Sequence, residues 1–172
     1  MDPRLQRRVQ RYGWDKAAAH YERFWQQQLA PAQDKLLELA QLRPGEQVVE
    51  TAAGTGLVTF LAAAAVGPEG AVTATDISAE MVTALSAEAA RRGLTHIRAA
   101  RMDAEELQLP DAAYDAALCA LGLMYLPDPL AGLREMGRVL RPGGRAVAAV
   151  WGARDRCGWA EIFPIVDRRV SS

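Results

Sequence analysis

A chain of 172 residues, half of them hydrophobic, is long enough to fold as one domain that buries about 70% of the surface its unfolded form exposes. Its formal net charge of -1 and pI of about 6.1 supply no basic field for a phosphate backbone, so nucleic acid is not the expected substrate. Two distant cysteines, Cys119 and Cys157, suggest neither a disulfide framework nor a zinc site, and no apolar run approaches the roughly 18 residues of a membrane span; a cytoplasmic protein without a metal is expected.

In chain order, Arg4, Arg7, Arg8 and Arg11 form a basic cluster in a polar stretch that reads as a solvated arm. From about Trp14 to Gln28 the composition is helical, and the spacing of Tyr21, Phe24 and Trp25 puts three aromatics on one face. Pro31 is expected to start a second amphipathic helix, Ala32 to Leu42, with Leu36, Leu37, Leu39 and Ala40 facing inward and Arg43-Pro44-Gly45 ending it. This divides the chain into an arm and cap helix, residues 1–30, and a main domain, residues 31–172.

Five apolar runs follow: Gln47 to Thr51, Ala71 to Asp76, His96 to Ala100, Tyr114 to Ala120 and Arg145 to Trp151. They alternate with helical patterns at about Leu57 to Ala65, Ala79 to Arg92 and Pro129 to Leu140, which argues for an α/β fold with a parallel sheet covered on both faces. Ser78 reads as an N-cap and Gly93 as a C-terminal stop. Between the first run and its helix lies Glu50-Thr51-Ala52-Ala53-Gly54-Thr55-Gly56. Glycines at 54 and 56 allow positive φ and close approach of a ligand, toward which the free N–H groups of the next helix point.

With this turn, an acid ending the second strand (Asp76), another after the third (Asp103) and the Leu140-Arg141-Pro142-Gly143-Gly144 turn, the chain resembles the class I S-adenosylmethionine-dependent methyltransferases, in their small-molecule, ubiquinone/menaquinone-methyltransferase-like branch. The resemblance runs from roughly Trp14 to Trp151. It implies a doubly wound, Rossmann-like sheet of strand order 3-2-1-4-5 under an N-terminal helical cap. It further implies S-adenosyl-L-methionine as cofactor, S-adenosyl-L-homocysteine as product and a small-molecule acceptor methylated on O, C or N. The family continues for two more strands, so the chain is expected to be a truncated piece of a longer protein. Its fifth strand, apolar throughout, would then be exposed to self-association.

The resemblance also places the site residues. Glu50 is expected to orient the cofactor's amino-acid tail, Ala52, Gly54 and Gly56 to supply the tight backbone, and Asp76, about 20 positions after Gly56, to accept the ribose hydroxyls. Ile77 and Met102 would border the adenine, Asp103 would take its amine, and Ala120 would sit near the donor, with Met124 and Tyr125 toward the acceptor. Trp14, Tyr21 and Trp25 are candidates for a lid whose aromatic faces attract the sulfonium. If a general base is used, His20 or Tyr21 is the expected one. Trp159 and Phe163 are candidates for one pocket wall. Two other readings stand beside this one. An NAD(P)-binding oxidoreductase is disfavoured by Thr59, which occupies the third small position of a dinucleotide fingerprint, and by Asp103. A non-catalytic module that binds the cofactor or a partner remains open.

Overall fold

Strands β1 (Gln47–Thr51), β2 (Ala71–Asp76), β3 (Ile97–Arg101), β4 (Tyr114–Ala120) and β5 (Leu140–Ala149) pair in parallel in the order β3-β2-β1-β4-β5 in the computed structural model, which describes residues 2–157. The central pair is apolar on both faces for a reason: Val48, Val49, Ala116, Ala117, Leu118 and Cys119 are fully buried. One face packs Val48, Val72 and Leu118 against Leu36, Val58 and Val66, and the other packs Val49, Ala117 and Cys119 against Leu107, Met136 and Val139. The helices between strands are α3 (Leu57–Val66), α4 (Ala79–Arg91) and α5 (Pro129–Val139). Ser78 caps α4, its hydroxyl accepting from the Met81 N–H at 3.1 Å, and Asp128 caps α5 through the N–H groups of Leu130 and Ala131.

The N-terminal region departs from the expectation in two places. The solvated arm is instead helix α1 (Pro3–Ala17), opened by Pro3 at its first position and by the Asp2 carboxylate, which accepts from the Arg4 N–H at 2.8 Å. A short 3-10 turn, Ala18–His20, leads into α2 (Tyr21–Ala40), which runs straight through Pro31. The buried residues of α2 are Leu29, Gln33, Leu36 and Ala40, a stripe at steps of four and three. Pro31 lies on the exposed side, so the carbonyl that loses its partner faces water and the buried stripe carries the helix across. The same stripe leaves Leu39 outside, 59% exposed, contrary to its expected inward position. The boundary expected at residue 30 falls within α2.

Strand β5 also starts earlier than its apolar run. Leu140 pairs with Tyr114 before the Arg141–Gly144 stretch bulges out, and regular pairing resumes at Ala116 with Arg145. Arg145 then ties the strand to the end of α2: its guanidinium donates to the carbonyls of Ala40 and Gln41 and pairs with Glu46 at 2.7 Å. Among the described residues the fifth strand lies at the sheet edge, with Val150 just beyond it 53% exposed. Trp159 and Phe163 lie outside the described residues.

Candidate functional site

The strand order reverses between β1 and β4, and in open α/β sheets ligands bind at the carboxyl ends of the strands where that happens. A cleft of about 260 Å³ opens there. Its floor comes from the strand ends: Ala52 and Gly54 after β1, Asp76 and Ile77 at β2, Met102 and Asp103 after β3, and Ala120 to Gly122 at β4. Its roof comes from the N-terminal helices: Arg7, Gln10 and Trp14 of α1, and Tyr21, Trp25 and Leu29 of α2. Tyr125 and Trp151 add to the wall.

The turn after β1 takes its shape from three left-handed residues, Ala52 (φ 53°), Gly54 (φ 58°) and Gly56 (φ 99°). Asp76 clamps it. One carboxylate oxygen accepts from the Gly54 N–H at 2.8 Å and the other from the Ser78 N–H at 2.9 Å. Burial nevertheless raises the Asp76 carboxyl from its ordinary value, the backbone N–H groups of Ser78, Gly54 and Ile77 offsetting only part of that cost. Each oxygen keeps a further lone pair for a ligand hydroxyl. Gly122 lets the β4 end approach this turn, since a Cβ there would stand 2.3 Å from the Ala52 Cβ.

Two of the expected backbone and tail residues do not open on the cleft. A Cβ at Gly56 would meet Phe60 at 2.8 Å and Leu85 at 2.9 Å, so this glycine serves the packing of α3 and α4, and its φ lets the chain enter α3. Glu50 is 1% exposed beneath the turn, where its carboxylate accepts from the Thr59 hydroxyl at 2.5 Å. Burial pushes the Glu50 carboxyl up to about 8, opposed by the Thr59 bond and aided by the nearby Asp76. Thr59 thus serves Glu50, which explains a hydroxyl where dinucleotide sites take a small residue.

The other end of the cleft is ionic. Asp103 accepts from the Glu105 N–H at 2.9 Å, and its second oxygen forms an ion pair with Arg7 at 2.8 Å; Arg7 also pairs with Glu105. Between the two ends stand the aromatics. Trp14 meets Tyr21 edge-on at 6.0 Å and Tyr125 at 5.3 Å. Burial, with smaller contributions from Tyr125 and Asp76, pushes the Tyr21 hydroxyl up to about 12. Tyr21 therefore stays protonated at neutral pH, a state that does not favour the base role expected of it. His20 is exposed, its ring against Phe24, and does not line the cleft, because the 3-10 turn presents it to the outside. Met124 is likewise not part of the lining, whereas Tyr125 is.

Sequence reasoning missed Arg7, Gln10 and Trp151. Arg7, Gln10 and Trp14 recur at steps of three and four, a helical face visible only once the arm is read as a helix.

Residues 48–144, more than half of the chain, match the family model described as a methyltransferase domain. The chain belongs to the methyltransferase domain family. It is 34% identical over 132 residues to a nocamycin O-methyltransferase of Saccharothrix syringae, covering 77% of this chain and 47% of that protein. It is 41% identical over 108 residues to the ubiquinone/menaquinone biosynthesis C-methyltransferase UbiE of Stenotrophomonas maltophilia, covering 62% of this chain and 43% of that protein. The chain thus spans about half the length of these curated relatives. Among solved structures, a SAM-dependent methyltransferase from Aquifex aeolicus superposes with a TM-score of 0.66 at 25% identity, covering 79% of this chain and 77% of that one. The methyltransferase domain carries the cleft floor, and all of α1 and α2 lie outside the matched residues.

Proposed function

We propose that this chain binds S-adenosyl-L-methionine in the cleft and transfers its methyl group to a small, largely apolar acceptor. The observation that carries the reading is Asp76: a buried carboxylate at the end of β2, fixed by two backbone N–H groups, that faces the cleft with lone pairs to spare. Such a group suits a ribose diol. Ile77 and Met102 supply apolar surface beside it and Asp103 an acceptor for an amine, so the residues present fit this cofactor. When bound, the cofactor supplies an activated methyl carbon, and most of the chemical difficulty is met by the sulfonium.

The protein's own share is then alignment and exclusion of water. Trp14, Tyr21 and Tyr125 cover the middle of the cleft, with faces and edges suited to a cation and an apolar acceptor. With Tyr21 held protonated and His20 outside, the acceptor in this reading arrives already ionised, as an enolate or the anion of an acidic phenol, its proton given to solvent before it enters the cleft. The two relatives named above, one an O- and one a C-methyltransferase, are compatible with either atom. A cytoplasmic setting fits the reading. The edge strand β5 offers backbone for pairing with a further strand or a second copy.

Calorimetric titration with S-adenosyl-L-homocysteine tests the proposal, with a nicotinamide dinucleotide as comparison. Micromolar affinity for the first alone is expected, weakened at least about tenfold by Asp76→Asn, which removes charge while keeping shape. Asp103→Asn serves as a second variant in case the turn itself fails. Equal affinity for the dinucleotide, or unchanged affinity in both folded variants, would refute it.

A further inference from the structure

Helix α1 has three faces, of which one lines the cleft. Arg7, Gln10 and Trp14 turn to the cleft. On the opposite side Leu5, Val9 and Tyr12, at steps of four and three, are 43%, 55% and 61% exposed, and no residue of α1 is fully buried. Between these faces run Arg4, Arg8 and Arg11, which with Arg101 line a groove of about 560 Å³ beside the cleft. Among the described residues Arg4, Arg8 and Arg11 form no ion pair through their side chains; Arg7 alone of the cluster is neutralised, by Asp103 and Glu105. Lys16 adds a further cation at the end of the apolar stripe, its ammonium 4.5 Å from the centre of the Tyr12 ring. The two acids at the ends of this helix are occupied, Asp2 in capping it and Asp15 in a 2.6 Å hydrogen bond from the Ser78 hydroxyl.

An exposed apolar stripe with a cationic flank is the composition of a helix that lies in the headgroup region of a bilayer. Three apolar side chains insert too weakly to hold a protein there alone, but free arginines beside them are drawn to anionic lipid. No helix among the described residues is long and apolar enough to cross a membrane, so the geometry is that of a surface contact. Charge also selects among occupants. A second copy docking face to face through α1 would bring Arg4, Arg8 and Arg11 against themselves, and a nucleic acid would leave the apolar stripe unused.

We propose that α1 is an interfacial helix that docks this chain onto an anionic lipid surface through Leu5, Val9 and Tyr12, flanked by Arg4, Arg8 and Arg11. Because the same helix roofs the cleft, a lipid-dissolved acceptor would stand about one helix diameter, ~10 Å, from the site. That last consequence rests on the methyl-transfer reading; the docking does not.

The test is co-sedimentation of the 172-residue chain, without cofactor or acceptor, with vesicles of phosphatidylcholine alone and of an equimolar mixture with phosphatidylglycerol. Binding to the mixed vesicles is expected to be at least about tenfold tighter and to weaken with salt. Arg4→Gln and Arg8→Gln should each reduce it about fivefold. Val9→Glu should abolish it while circular dichroism and S-adenosyl-L-homocysteine affinity stay unchanged, since Val9 faces away from the cleft. Equal binding to both vesicles, no binding to either, or binding indifferent to Val9→Glu would overturn the proposal. So would an oligonucleotide or a chain dimer that is lost with the same arginines. Failure here would leave the calorimetric result untouched, which separates the two readings.

Discussion

Glu50 and Asp76 end neighbouring strands, yet their surroundings give them different duties. Asp76 keeps two N–H partners and an open side, whereas Glu50 has one hydroxyl partner and no opening. A carboxyl that titrates near 8 in the folded state, against 4.5 for an ordinary glutamate, binds more protons folded than unfolded throughout that window. Glu50 therefore makes stability fall as pH rises from about 4.5 to 8, at a rate approaching ~1.4 kcal/mol per unit, and level off above. Glu50→Gln keeps an acceptor for Thr59 and should remove that share of the slope, leaving the variant more stable than the parent at pH 9 in urea denaturation. An unchanged slope would mean that the carboxylate is solvated. Asp76 was legible because an acid closing the second strand has few other places to be. Gly56 packs away from the cleft, and a glycine that admits a ligand and a glycine that admits Phe60 and Leu85 look alike in a chain.

At the scale of elements, periodicity located the sheet well and the N-terminal helices poorly. The runs at Gln47–Thr51, Ala71–Asp76 and Tyr114–Ala120 match their strands because an apolar stretch between turn residues has one use in a parallel sheet. Pro31 misled because local propensity opposes a helix there, while Leu29, Gln33, Leu36 and Ala40 bury a stripe that spans it. That conflict predicts a gain. Pro31→Ala restores an N–H and relieves the crowded carbonyl on an exposed face, and should stabilise the chain by about 1–3 kcal/mol in chemical denaturation. A loss of stability would show that the proline bends α2 into its seat on β4 and β5. The arm went unread as a helix for another reason. The partners that fix Arg7, Asp103 and Glu105, lie about 100 positions away, a distance that local patterns cannot carry.

The whole molecule is a sheet that brings acids from two strand ends and a constrained turn to one rim, and a pair of helices that close over that rim from before the sheet begins. The floor lies within the residues shared with the methyltransferase domain family, while the roof helices α1 and α2 lie outside them. The methyl-transfer reading turns on the cofactor lying in the cleft under α1 and α2. A crystal structure of this chain with S-adenosyl-L-homocysteine tests it without intermediaries. The ribose hydroxyls are expected within hydrogen-bond distance of Asp76, the adenine beside Ile77 and Met102, and its amine at Asp103. A nucleoside bound elsewhere, or one in the cleft that leaves Asp76 untouched, would contradict the assignment.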